Sequence, residues 1–251
     1  MAVFVEERDG AEPVVVCVHG FCQSSGYWVP TLDRLAARGV RGLAPDLPGF
    51  GHSSSEPGPY TMSALADALA RVLDARRIAR VRLVGGSMGG VVAQQFVLHH
   101  PERVERLVLV ATGAVMNDPK AGLAKSEEIK SSAWNEAAVA PIVAGFFHRA
   151  PGEAEVARLR RIALCTSHIA AVEASRSNAH NDTLERLAEI RVPTLIVQGR
   201  HDRARTPEHG ALMRERIPGA RLAVIEDAGH TPQLEQPHAF HEVAVGFLTA
   251  R

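Results

Sequence analysis

The sequence predicts an α/β fold: a mostly parallel, twisted sheet with helices on both faces, interrupted by one long helical insertion. Three observations predict it. Short β-rich apolar runs alternate with longer runs at helical spacing, the pattern of parallel strands joined by helical crossovers. The alternation breaks once, over residues 113–190, where no strand pattern appears and Ala, Glu and Arg recur at helical spacing. The length, 251 residues, suits one large α/β domain and is too short for two full-sized ones.

The elements follow in order. Residues 2–8 hold the one candidate for a strand ahead of the first strong one, so that strand reads as missing or merged. Residues 13–19 (PVVVCVH) form a continuous apolar run, as expected of a strand buried on both faces. Residues 26–38 carry Trp28, Leu32, Leu35 and Ala36 at helical spacing, and Gly39 is a stop signal. A short strand over 40–45 leads into a loop rich in Gly, Pro and Ser over 46–59. Residues 62–78 read as an amphipathic helix with Thr61 or Ser63 near its start. A strand over 81–84, a helix over 88–100 ended by Pro101 and a strand over 104–112 complete the first part. After the insertion, 192–198 (VPTLIVQ) resumes the strand pattern, followed by a helix over 207–217, a strand over 221–226 and a last helix over 236–250. The core therefore comprises 1–112 and 191–251, and 113–190 is the insertion.

Composition excludes several classes. Apolar residues make up 46 % and charged residues 22 %, enough apolar content for a sizeable core and too much for a disordered chain. Lys plus Arg equals 28 and Asp plus Glu equals 28, so no global field draws in nucleic acid or an anionic membrane, and neither is an expected partner. The N-terminal residues show no basic stretch followed by a long apolar one, and no run of about 18 apolar residues occurs. A cytoplasmic protein is expected. Cys17, Cys22 and Cys165 are too few for a disulfide framework, and Cys17 lies in an apolar run that suits a buried free thiol.

The chemistry centres on Ser87. Gly85, Gly86, Ser87, Met88 and Gly89 form a G-x-S-x-G pentapeptide with a strand before it and a helix after it. In that context the serine occupies a sharp turn that lifts its hydroxyl off the sheet and sets it at a helix N-terminus, which favours developing negative charge. A serine hydroxyl is a weak nucleophile at neutral pH and needs a base, itself oriented by a carboxylate. Of 12 histidines, His230 has the position for this, in the loop after the 221–226 strand. Asp202 follows the 192–198 strand in the same way. Asp227, three residues before His230, is the alternative carboxylate. Attack on a carbonyl leaves an oxyanion, and each preorganised N–H that holds it is worth roughly 3–4 kcal/mol. The expected donors are the backbone N–H groups of Met88, next to the serine, and Phe21, in the loop after the first strong strand.

The chain resembles the α/β-hydrolase superfamily over nearly its full length. The resemblance rests on His19-Gly20-Phe21, residues 46–53 (DLPGFGHS), residues 85–90 (GGSMGG), residues 199–202 (GRHD) and Ala228-Gly229-His230. It implies the Ser87, Asp202, His230 order of that fold, and a cap inserted before the strand that carries the acid, where 113–190 falls. Families near this pattern include small-molecule carboxylesterases, enol-lactone hydrolases, perhydrolase-like haloperoxidases and carbon–carbon bond hydrolases. Two departures stand out. Gly86 precedes the serine where relatives often have a larger side chain, and Thr231 follows the histidine where carbon–carbon hydrolases often have Trp. Ser at position 87 sets aside the branches that use an Asp nucleophile.

The expected activity is hydrolysis of a small or medium apolar ester or lactone through an acyl-enzyme. The alternatives are a carbon–carbon hydrolase or a biosynthetic lactone- or thioester-processing enzyme with the same residues, and a ligand-binding receptor on this fold. Phe21, Met116, Trp134, Phe146 and Phe147 are the expected pocket residues, in an apolar, water-poor site. Cys22 is expected to pack, and His52 to tie down its own loop. No cofactor is expected, and no metal, since neither HExxH nor paired CxxC occurs.

Overall fold

The computed structural model describes residues 3–116 and 118–250. Among the described residues, seven strands form one sheet in the order β1-β3-β2-β4-β5-β6-β7. They are β1 (Val5–Arg8), β2 (Ala11–Val18), β3 (Val40–Pro45), β4 (Val81–Gly86), β5 (Val104–Val110), β6 (Thr194–Gly199) and β7 (Arg221–Ile225). Only β1 runs antiparallel, pairing Val5 with Pro45 and Arg8 with Gly42. This corrects the expectation of a missing or merged first strand. The strand was hard to read because its sequence, VEER, is that of a half-buried edge, with charges where an inner strand has apolar side chains. Ala2, included in that reading, lies outside the described residues.

Both faces of the sheet are covered, which explains the unbroken apolar runs. Successive side chains of a strand point to opposite faces. In β2, Val14, Val16 and Val18 join one core cluster, and Val15 and Cys17 join the other. The first cluster is completed by α2 (Met62–Ala75), α3 (Met88–His99) and α8 (Pro207–Arg216), which place Leu69, Phe96 and Met213 on that face. The second is completed by α1 (Val29–Ala36) and α10 (Pro237–Thr249), through Trp28, Leu32, Phe240 and Leu248. The expected helix over 26–38 is shorter and split, whereas the expected last helix over 236–250 is α10, with a further short helix ahead of it. A 3₁₀ turn, Ser25–Tyr27, precedes α1, and the short α9 (Pro232–Glu235) precedes α10, because Pro237 restarts the helix.

Between β5 and β6 lie α4 (Pro119–Ser131), α5 (Glu136–Ala144), α6 (Glu153–Leu164) and α7 (His168–His180). Two of these helices start on side-chain caps: Asp118 Oδ1 accepts from Ala121 N at 3.0 Å, and Asn135 Oδ1 accepts from Ala138 N at 3.2 Å. The insert is tied to the core at several places, two of them through its helices. On α7, Ser167 N donates to Gly49 O at 2.8 Å, and Ser177 Oγ accepts from Met62 N at 3.0 Å. On α5 and α6, Val139, Val143, Leu159 and Ala163 cluster with Cys22 and Tyr27 of the loop after β2. Among the described residues no helix is long and apolar enough to cross a membrane.

Candidate active site

Ser87 ends β4 and begins α3 with φ 53° and ψ −120°, a conformation that costs a non-glycine residue about 1–3 kcal/mol. The surroundings hold it there. Its N–H donates to Val110 O at 2.8 Å, and its carbonyl oxygen accepts from Thr112 Oγ1 at 2.7 Å. The glycine after it is set by close approach rather than by dihedral angle. A Cβ on Gly89 would sit 2.4 Å from the carbonyl oxygens of Val18 and His19. Gly86 differs: a Cβ there would meet Trp28 Cζ2 at 3.1 Å, so the space beside the serine is filled by the Trp28 ring.

His230 and Asp202 arrive from the loops after β7 and β6. His230 Nε2 lies 2.7 Å from Ser87 Oγ, and His230 Nδ1 lies 2.7 Å from Asp202 Oδ2. Asp202 Oδ1 accepts from the backbone N–H groups of Ala204 at 2.8 Å and Arg205 at 2.9 Å. Both Asp202 and His230 are buried. The Asp202 carboxylate therefore accepts a hydrogen bond from Nδ1–H, which fixes the tautomer and leaves the Nε2 lone pair for the serine hydroxyl. Asp227 does not take this role. It is exposed, and Arg149 Nη2 pairs with its Oδ1 at 3.2 Å.

The loop after β2 approaches the serine closely. A Cβ on Gly20 would sit 3.0 Å from Ser87 Cβ, which brings the backbone of Gly20 and Phe21 beside the hydroxyl. Buried His19 fixes this loop. Its Nε2 accepts from Leu47 N at 2.9 Å, so its Nδ1 donates to Gly20 O at 2.8 Å. Burial lowers the His19 pKa, against the pull of the Asp46 charge, and the neutral tautomer suits both bonds. Met88 is the first residue of α3, where helix N–H groups have no acceptor within the helix. Cys22 is buried in this loop, and burial pushes its thiol pKa up, away from the thiolate form. His52 lies outside the site; its backbone N–H donates to Asp46 Oδ2 at 2.7 Å and its Nδ1 lies 3.2 Å from the same oxygen.

A cavity of about 360 Å³ opens on Ser87 and His230. Phe21, Met116 and Phe146 line it, as expected from sequence, and so do Ile142 and Arg205. Two expected pocket residues do not line it. Trp134 faces a separate depression between α4 and α5, with its ring stacked on His168 at 5.9 Å. Phe147 packs into the α5–α6 cluster instead. In both cases the insert has more than one apolar surface, and an aromatic residue in a helical sequence does not say which it serves.

Two features of the site were not legible in sequence. Phe146 holds the His230 loop by its backbone: its carbonyl oxygen accepts from His230 N at 2.9 Å, and the two rings stack at 5.9 Å. Glu235 clamps the same loop, accepting from Gly229 N at 2.9 Å through Oε1 and from His148 N at 2.7 Å through Oε2. A Glu five residues after His230 was the available signal.

Among the described residues, one cluster of three side chains brings potential metal-ligand atoms together. His148, His201 and Asp227 bring one such atom each within 4.8 Å of one another. They come from three separate loops, so sequence spacing gave no sign of them. The two imidazole rings stack at 3.8 Å and 13°, so their lone pairs lie in nearly parallel planes, and a shared ion would require one ring to turn.

The profile of the alpha/beta hydrolase family matches residues 15–243, and the chain belongs to that family. It is a hydrolase of the α/β-hydrolase type. It is 30 % identical to a pimeloyl-acyl-carrier-protein methyl ester esterase of Aeromonas hydrophila, over 99 % of this chain and 100 % of the relative. It is also 30 % identical to a 2-hydroxy-6-oxononadienedioate/2-hydroxy-6-oxononatrienedioate hydrolase of Escherichia coli, over 94 % of this chain and 87 % of the relative. Among solved structures, the enol-lactonase of Burkholderia xenovorans superposes with a TM-score of 0.89 at 28 % identity, over 99 % of this chain and 97 % of that one.

Proposed function

We propose that this protein is a serine hydrolase that cleaves a small or medium carboxylic ester or lactone through an acyl-enzyme. The observation that carries the reading is the continuous chain of contacts from Asp202 Oδ2 through His230 to Ser87 Oγ, each 2.7 Å, at the mouth of a partly apolar cavity. Ser87 Oγ attacks the carbonyl carbon while His230 Nε2 takes its proton. The oxyanion is held by the N–H groups of Phe21 and Met88. His230 returns the proton to the leaving oxygen, and the carbon–oxygen bond breaks. Water then attacks the acyl group with His230 again as base, releasing the acid and restoring Ser87. Asp202 holds the His230 tautomer and stabilises the imidazolium. The helices over 119–180 act as a cap that limits water.

A carbon–carbon hydrolase is the second reading, favoured by equal 30 % identity to the Escherichia coli hydrolase and to the esterase. Steady-state turnover decides between them. p-Nitrophenyl esters and a set of lactones are compared with a vinylogous 1,5-diketone. The ester reading expects kcat/KM for the best ester or lactone to exceed that for the diketone. The reverse order transfers the assignment to the second reading.

A further inference from the structure

Arg205 stands out among the residues that line the Ser87 cavity. It is 7 % exposed, and its Nη1 donates to Val115 O at 2.8 Å. Among the described residues no carboxylate pairs with its guanidinium. Asp202 is the nearest negative charge. Its oxygens, however, are already used by His230 Nδ1 and by the N–H groups of Ala204 and Arg205. Burial lowers the Arg205 pKa and the Asp202 field only partly offsets this, so the buried cation pays a desolvation cost that the protein alone does not return. A second cation, Lys125, also lines the cavity, but it is 43 % exposed and already pairs with Glu128 at 3.0 Å. On the same cavity wall, Asn178 Oδ1 is buried with no hydrogen-bond partner.

A guanidinium has five N–H donors in a planar fork that matches a carboxylate. We propose that Arg205 binds a free carboxylate of the substrate, so that the ester or lactone cleaved at Ser87 is an anionic one with an apolar stem. The stem runs along Phe21, Met116, Ile142 and Phe146, and the charge rests on Arg205. A wholly apolar pocket would reject such a substrate, because the carboxylate would lose its water without gaining a partner. This inference rests on the serine hydrolase reading of the same site.

Two matched pairs of esters test it. Monomethyl adipate is compared with methyl hexanoate, which places the carboxylate on the acyl side. 5-Acetoxypentanoate is compared with pentyl acetate, which places it on the alcohol side. The wild-type enzyme is expected to favour the carboxylate in at least one pair, by about tenfold or more in kcat/KM. Arg205→Met is expected to lower that preference at least tenfold, mainly through KM, and Arg205→Lys to retain most of it. A preference for the neutral ester in both pairs overturns the proposal without any variant being made. So does an Arg205→Met enzyme that loses kcat equally on charged and neutral esters, since that is the signature of a residue that only steadies Asp202. Reaction of the wild type with a fluorophosphonate is measured first. If Ser87 does not react, the serine hydrolase reading fails; if it reacts and neither carboxylate is preferred, only the Arg205 assignment fails.

Discussion

Around Ser87 the backbone is packed against itself, whereas the insert above it is packed through side chains. A Cβ on Gly85 would meet Gly89 O at 2.3 Å, and one on Gly89 would meet two carbonyl oxygens at 2.4 Å. In the insert, a Cβ on Gly152 would meet nothing within 4 Å, and one on Gly145 only the carbonyl oxygens of its own helix at 3.4 Å. Gly113, against the His209 side chain, and Gly122, against Ala179 where α4 and α7 pack, are the exceptions, and both meet side chains. The difference teaches where precision is needed. In the proposed reaction, proton transfer requires His230 and Ser87 to keep a hydrogen-bond distance, and the elements that carry them are packed to leave little room for adjustment. A pocket wall can shift by a fraction of an ångström and still bind an apolar chain, so the insert needs only suitable volume and a few polar anchors.

The largest expected effect removes the chemistry and leaves the packing. Ser87→Ala should lower kcat/KM for any ester by at least about 10⁴-fold, as for other members of such triads, with the far-UV circular dichroism unchanged. Gly89→Ala tests the rigid side of the comparison. The added methyl collides with backbone rather than a movable side chain, so stability should fall by about 3 kcal/mol or more, read as the midpoint of urea unfolding. A loss under 1 kcal/mol would mean that the β2–α3 contact yields, and the contrast would lose its basis.

Glu235→Ala tests the joint between the two regions, because Glu235 holds both the His230 loop and His148 of the insert. Losing these charge-assisted bonds should cost about 2 kcal/mol and lower kcat more than it raises KM, since the displaced group is His230. The smallest effect is expected in the insert itself. Gly152 precedes α6 with an extended backbone and no side-chain cap, so Gly152→Asp should raise stability by a few tenths of a kcal/mol and leave kcat/KM within twofold. Thermal melting and ester turnover on the same samples check both.

The same contrast explains what could be read from the sequence. The sheet was legible because its inner strands are continuous apolar runs and the G-x-S-x-G turn has one stable context. The contact of Ser87, His230 and Asp202 followed from position, since all three leave the same end of parallel strands. The edge strand Val5–Arg8 was not legible because its pairing relies on backbone, with charges on its side chains. In the insert, Phe146 lines the cavity at Ser87 and Trp134 and Phe147 do not. Nothing in the helical spacing separates a face against the cavity from a face against another helix. Arg205 was passed over because a cation three residues after Asp202 looks like part of a polar loop, and only its burial distinguishes it.

The proposed chemistry requires Ser87 to be an activated nucleophile open to the cavity. Intact-mass analysis after treatment with a fluorophosphonate tests it most directly, on the wild type and on Ser87→Ala and His230→Ala. The wild type is expected to take up one adduct, mapped to the peptide that contains Ser87, Ser87→Ala none, and His230→Ala to label much more slowly. A folded wild type that takes up no adduct, or one whose adduct survives the Ser87→Ala change, would contradict it.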